Sequence, residues 1–241
     1  LSIGEVSAKG KGQYVADTGD FDATINTQDL PLGTFTKDMT TPITGNIDGE
    51  IRILGKNNQV TDAVGAVEGR QIGIHGVVVD TAKANFTHAD NCTNITVVGT
   101  MGDGALSGYG YIQNGNVDAT ISGNALPLTV LSPIIGQDVD GTLNTSFAIK
   151  GTVDNPNVTG TVWGQEVHYK GARFNNIHGD IKLDNHILTI TNGHIGDGDG
   201  GYDVNGWYNL DTDALDLNAR ARATRIENVI RTVTDVPITG W

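Results

Sequence analysis

The sequence predicts an all-β chain, and three observations predict it. Long stretches alternate apolar and polar residues with a period of two, as strands with one buried face do. Glycine supplies 33 of 241 residues, about twice the usual share, without a collagen-like period. The chain also resembles itself at an interval of roughly 96 residues. Asp22-Ala23-Thr24-Ile25 returns as Asp118-Ala119-Thr120-Ile121, and Leu30-Pro31-Leu32 returns as Leu126-Pro127-Leu128.

The elements follow from that repeat. Gly102-Asp103-Gly104 comes back as Gly196-Asp197-Gly198, Val117-Asp118 as Leu215-Asp216, and Val139-Asp140-Gly141 as Ile238-Thr239-Gly240. These landmarks place repeats at about 12–107, 108–205 and, in part, 206–241, within a single elongated region over 1–241. Each repeat is expected to hold seven or eight strands. The first carries Ile47-Asp48-Gly49-Glu50-Ile51 and then a turn at Gly55-Lys56-Asn57-Asn58. In the second, Val139, Gly141, Leu143, Thr145, Phe147, Ile149, Gly151 and Val153 alternate with polar residues as one long strand, closed by Asp154-Asn155-Pro156-Asn157. Ile177, Gly179, Ile181 and Leu183 lead to a two-residue turn at Asp184-Asn185, after which Leu188 and Ile190 resume the same face. Strands over Tyr202–Leu210 and Leu215–Ala223 come next.

A short amphipathic helix is expected before the long strand of every repeat, capping a sheet edge. It is strongest in the third, where Ile226, Val229, Ile230 and Val233 fall at helical spacing behind a Thr224/Glu227 capping box. Counterparts run from Leu128 to Ile134, limited by Pro133, and from Leu32 to Met39.

Charge and cysteine content exclude whole classes of function. With 15 Lys+Arg against 28 Asp+Glu, the net charge of −13 repels phosphate backbones and anionic bilayer surfaces, so nucleic acid is not an expected partner. One cysteine, Cys92, precludes a disulfide framework or a Cys-based zinc site. No apolar run approaches the ~18 residues of a membrane-spanning helix. The chain starts at Leu1-Ser2 without methionine and ends in mid-pattern at Gly240-Trp241, so it is read as an excerpt of a longer protein.

A sheet with one apolar face needs cover from a second sheet, from closure, from a coil, or from a ligand inside a lengthwise curl. Aromatics are only 6%. Inward positions are often small, as at Gly49, Gly99, Gly141, Gly151, Gly160, Gly206, Ala119, Ala219 and Ala221. Small inward residues suit either a tight coil or a trough whose missing volume hydrocarbon fills.

The order Leu126-Pro127-Leu128-Thr129-Val130-Leu131, then Val139-Asp140-Gly141, then Ile149-Lys150-Gly151-Thr152-Val153-Asp154-Asn155-Pro156-Asn157-Val158-Thr159-Gly160 resembles the repeating pattern of the AsmA-like proteins, and among them the TamB family. The first repeat matches at Ile47 to Ile51 but lacks the Asn-Pro turn. The resemblance implies a long curled β-sheet, a β-taco or open U-shaped groove, that conducts phospholipid between inner and outer membranes. It implies a place in the periplasm or cell envelope of a diderm bacterium, with an inner-membrane anchor lying outside this chain. It also implies a role beside an outer-membrane β-barrel of the TamA/BamA type in outer-membrane protein assembly and secretion. The expected partners are phospholipid acyl chains. The inward set expected to line the groove is Ile47, Ile51, Ile53, Val97, Val117, Ile121, Val139, Leu143, Phe147, Ile149, Val158, Val162, Ile181, Leu183, Leu188, Ile190, Val204, Leu215 and Leu217. The competing reading is a structural or adhesive β-solenoid such as a surface passenger domain, and behind it a carbohydrate-active β-helix enzyme.

Other motifs carry little. Gly196-Asp197-Gly198-Asp199-Gly200-Gly201-Tyr202-Asp203 resembles one calcium-binding nonapeptide, but a single copy builds no stacked site. His178, His186 and His194 are spaced by eight, and the hairpin drawn above keeps them apart, so no metal is expected there. Asn91, Asn94, Asn144 and Asn157 head glycosylation sequons of the kind chance supplies. No nucleophile elbow, zinc-protease motif or phosphate loop is present, and the carboxylates read as a solvated strand face. Neither a catalytic residue nor a cofactor is expected.

Overall fold

In a computed structural model, described over residues 2–3, 6–38, 42–74, 76–132 and 137–224, the chain is all-β and antiparallel. The helix expected at Ile226 to Val233 lies outside the described residues. Fifteen strands follow in order: β1 Ser2–Ile3, β2 Val6–Val15, β3 Asp20–Pro31, β4 Ile43–Lys56, β5 Gln59–Ile74, β6 Val77–Ala89, β7 Cys92–Met101, β8 Gly104–Gln113, β9 Asn116–Pro127, β10 Val139–Thr152, β11 Pro156–Tyr169, β12 Ala172–Asp184, β13 Ile187–Asp197, β14 Gly200–Asn209 and β15 Leu215–Arg222. The chain forms two compact units, residues 1–119 and 120–241. Within each, strands neighbour one another in chain order, so each connection joins two adjacent antiparallel strands.

The hairpins are tight because their turn residues accept left-handed backbone. Asn57-Asn58, Asp90-Asn91 and Asn185-His186 all have positive φ at both positions, the requirement of a type I′ turn. The last of these shifts the expected Asp184-Asn185 turn by one residue, since Asp184 still pairs with Ile187. The face is unchanged, with Leu183 opposite Leu188 and Ile181 opposite Ile190. Pro156 opens β11, a place where its missing N–H costs the ladder nothing.

From the start of β3 to the start of β9 the chain holds six strands, β3 to β8, where seven or eight are expected from sequence. The strands run 10 to 16 residues there, longer than the turn spacing suggested. Left-handed positions recur at the same interval. Asp29 and Ala125 share φ 50, Gly45 and Gly141 have φ 103 and 125, and Gln71 and Glu166 share φ 50. Each lies within three residues of a strand end. Register shifts accompany them between Thr27 and Leu30, Thr44 and Asn46, and Asp140 and Thr142. Gly141 is therefore a bulge, and the uninterrupted alternation expected from Val139 to Val153 breaks there. A bulge strands an N–H that the ladder no longer serves. The neighbouring strand supplies the acceptor: Asp29 N–H donates to Asp48 Oδ1 at 2.7 Å, and Ala125 N–H donates to Asn144 Oδ1 at 2.9 Å.

The helices expected at Leu32 to Met39 and Leu128 to Ile134 fall only partly within the described residues. Gly33–Thr36 forms one helical turn, α1, held by Thr36 N–H and Oγ1 on the Leu32 carbonyl and by Oγ1 on the Ile43 carbonyl at 2.6 Å. A 3₁₀ turn covers Leu128–Leu131 at the start of the second expected helix, whose Pro133 and Ile134 lie outside the described residues. No helix among the described residues is long and apolar enough to cross a membrane.

Candidate apolar ligand face

Residues directly opposite on antiparallel strands share a face, so the ladders sort every side chain. In residues 1–119 one row reads Gly10, Ile25, Ile51, Gly65, Phe86, Ile95, Gly110 across β2 to β8. Its neighbours on the same face read Gly12, Ala23, Ile53, Ala63, His88, Thr93, Ile112 and Thr27, Gly49, Val67, Ala84, Val97, Gly108. None of these residues is an acid, a lysine or an arginine. In residues 120–241 the same holds. Phe147, Gly160, Ile181, Ile190, Gly206 and Leu217 form one row, and Ile149, Val158, Leu183, Leu188, Tyr208 and Leu215 the next. Asp197 is the exception, at 1% exposure beside the Tyr202 hydroxyl. Burial and that carboxylate push the Tyr202 phenol above its ordinary range.

The opposite face holds the charge. Arg52 grips Asp22 with both Nε (3.1 Å) and Nη2 (2.7 Å), Arg70 bridges Asp48 and Asp29, and Lys83 reaches Glu68 at 2.6 Å. Hydrogen bonding from Arg52 holds the Asp22 carboxyl below the usual range. For Asp48 the main cause is the Asp29 backbone N–H, then Arg70. These pairs are well exposed, so each adds little stability alone; they keep the outer face wet and in register.

The apolar face is sparsely covered. Among the described residues the buried hydrophobic side chains are Met101, Leu126, Leu128, Val139, Val167, Ala172 and Phe174. Five of them form one cluster in residues 120–241 beneath the 3₁₀ turn, flanked by Leu143, Tyr169, Ile177, Ile195 and Tyr202. Phe174 meets Tyr202 edge-to-face at 6.2 Å. Away from that cluster, apart from Met101 and Leu126, the large apolar side chains are half-buried or exposed.

The nineteen residues expected to line a groove divide accordingly. Val139 belongs to the buried cluster. Ile47, Ile51, Ile53, Val97, Val117, Leu143, Phe147, Ile149, Val158, Val162, Ile181, Leu183, Leu188, Ile190 and Val204 are half-buried. Ile121, Leu215 and Leu217 are exposed, at 41%, 64% and 54%; β15 has a paired neighbour on one side only among the described residues, which leaves the last two open. The expectation omitted Phe21, Ile25, Val67, Phe86, Ile95, Ile177 and Ile195, which the ladders place on the same face. Alternation within β3 and β6 carried that signal.

Two expectations are corrected. The small inward residues are not simple vacancies. A Cβ at Gly65 would strike the Phe86 ring, one at Gly55 the Phe21 ring, one at Gly160 Phe147, and one at Gly164 Ile177. Each of these glycines, Gly160 among the expected small inward positions, is a seat for a large side chain of the neighbouring strand. The second concerns the histidines. His186 does stand apart at its hairpin, 2.9 Å from Asp211. His178 and His194, however, pair directly across β12 and β13, with rings stacked 5.3 Å apart on the charged face. A bulge between His178 and Asp180 and the left-handed Asn192 set that register, and sequence spacing cannot show it. In the glycine-rich motif, Asp197 ends β13 and Gly200 begins β14. Among the described residues no group of three or more His, Cys, Asp or Glu is placed to hold an ion. Cys92 is half-buried at the start of β7.

No protein-family model, curated protein or solved structure matches this chain.

Proposed function

We propose that this chain is a segment of a bridge-like lipid-transfer protein, with the uncharged face as the surface along which acyl chains pass. The observation that carries the reading is the pairing of complete charge segregation with incomplete burial. The ladder rows followed above put acids, lysines and arginines on one side and, apart from Asp197, none on the other, yet most of the apolar side remains half-open. A folding core needs closure. A sliding surface needs the opposite: an apolar wall without anchoring polar groups, because burial of hydrocarbon is non-directional and lets a chain move without fixed stations. At about 0.8 kcal/mol per CH₂ withdrawn from water, a lipid tail of some fifteen methylenes gains on the order of 10 kcal/mol from such a wall.

The curl that would make the face a trough is part of the proposal. Its support is the set of left-handed positions at Asp29, Gly45 and Gln71 that recur 95 or 96 residues later at Ala125, Gly141 and Glu166 with register shifts beside them, since a bulge bends its strand and sharpens the local twist. The recurrence also supports a duplicated unit of that length. The segment would then belong to the envelope of a two-membraned bacterium, its acidic outer face keeping it soluble. A solenoid is less well supported: consecutive strands pair antiparallel in each unit, whereas a β-helix coil stacks parallel strands of successive turns.

Photo-crosslinking tests the reading. A photoreactive residue at Leu143 or Leu183 in the full-length protein is expected to yield phospholipid adducts, and one at Asn144 or Lys182, on the charged face, none. Equal labelling of the two faces would end the proposal.

A further inference from the structure

We infer that the outer side of β7 and β8, in residues 1–119, binds a neutral β-1,4-linked glycan chain, on the side of the sheet opposite the lipid surface and independent of it. Neither strand contains an acid, a lysine or an arginine, whereas the outer side of β3 to β6 carries the ion pairs of Arg52, Arg70 and Lys83. Tyr109 and Tyr111 occupy alternate positions of β8, so both rings leave the sheet on one side. The ladders put that side with the charges: Tyr109 leads through Thr96, Asn85 and Ala66 to Glu50, and Tyr111 through Asn94, Thr87 and Val64 to Arg52. The two rings are 65% and 42% exposed.

The polar groups around the rings are uncommitted. Thr96 lies directly across from Tyr109 and Asn94 from Tyr111, with Asn85 and Thr87 one strand further. All four side chains are exposed, and none has a hydrogen-bond partner among the described residues. On β3 to β5, by contrast, polar side chains are tied to one another, Asp22 to Arg52 and Asp29 to Asn46 and Arg70. Open amides and hydroxyls beside exposed rings match a ligand that offers both C–H surface and hydroxyl groups. A sugar ring offers both: its C–H bonds meet the negative face of a tyrosine, and the hydroxyls at its edge exchange hydrogen bonds with amides and threonines. Alternate residues of a strand stand about 6.8 Å apart, which lets successive sugars of a flat ribbon lie over successive rings; a coiled α-linked chain does not lie flat. The net charge of −13 repels acidic glycans and nucleic acid, and a protein interface gathers a dry apolar centre rather than rings bordered by amides. Trp207 stands 96 residues after Tyr111, also on the charge-bearing side and 39% exposed, across from Thr189. Lys182 and Asp216 share its row, so the aromatic recurs without the neutral surround, and the site is assigned to β7 and β8 alone.

Isothermal titration calorimetry of the full chain with cellohexaose and with chitohexaose tests the site. At least one of the two is expected to bind saturably, and Tyr109→Ala and Tyr111→Ala should each weaken that binding by about 10-fold or more. Tyr109→Phe, which keeps the ring, should stay within about 3-fold of the parent, and Asn94→Ala should cost about 3–10-fold. Tyr14→Ala is the control. Tyr14 is 61% exposed, but it stands on the uncharged side with Phe21 and its hydroxyl donates to Asn58 Oδ1 at 2.9 Å, so its loss should leave glycan binding unchanged. Where an alanine variant loses the native far-UV CD spectrum, the serine variant replaces it. No saturable heat from either glycan, binding undiminished in both tyrosine variants, or tyrosine-dependent co-sedimentation with phosphatidylcholine vesicles in place of glycan binding would overturn the site.

Discussion

Replacing Ile181 with aspartate separates an open wall from a closed core. Ile181 stands on β12, opposite Gly160 and Ile190, and is half-buried. Full burial of an isoleucine is worth roughly 1.5–3 kcal/mol, so losing the partial burial seen here costs about 1 kcal/mol. The new carboxylate keeps access to water and adds little desolvation penalty. Phe174, on the same strand but in the cluster under the 3₁₀ turn at 8% exposure, is the internal control. Truncating a buried phenylalanine costs about 3–5 kcal/mol, and a charge left without water there adds several more, which together approach the ~5–15 kcal/mol stability of a typical domain. Urea unfolding of the full chain followed by far-UV CD gives both numbers. Ile181→Asp is expected to lower the midpoint slightly while abolishing lipid adducts from Leu143 and Leu183. Phe174→Asp should remove the cooperative transition. If Ile181→Asp destabilises as much as Phe174→Asp, something covers the face, and the reasoning from half-burial to an open track is refuted.

Two further outcomes test the packing and the charged face. Gly160→Ala should cost about 1–3 kcal/mol by overpacking, because its Cβ would meet Phe147 and the Ser146 carbonyl, whereas Gly115→Ala, with open space around it but φ +77, should cost only about 1–2 kcal/mol from backbone strain; thermal melts that reverse this order would show that Phe147 does not lie over Gly160. The carboxyls of Asp22, Asp29 and Asp48 are depressed by their hydrogen bonds, chiefly from Arg52, from Asn46 and Arg70, and from the Asp29 N–H and Arg70. A folded pKa below the unfolded one gives stability that is fully present above pH ~4 and lost as pH falls through the depressed values. Melting temperature should therefore drop below pH ~4, and Asp48→Asn should flatten that acid limb; an unchanged slope would mean the pairs do not persist in solution.

The face of nearly every strand could be read from the sequence alone, because side-chain direction in a strand is local and alternates with period two whatever the neighbours are. Seventeen of the nineteen expected lining residues, all but Val117 and Ile121 of β9, follow the ladders to the uncharged side for that reason, although Leu215 and Leu217 are far more open than a lining implies and Val139 is buried. The all-β class was equally legible. Strand count was not, since hairpin turns such as Asn185-His186 and bulges such as Gly141 look alike as polar or glycine-containing breaks in alternation. Only pairing across strands decided what touches what: the rings seated over Gly65 and Gly160, the closure of the core beneath Leu128, and the meeting of His178 with His194. Each of those depends on register, and register is set by one-residue bulges whose left-handed backbone Asp29, Gln71, Glu166 and Asn192 adopt without any residue type that announces it.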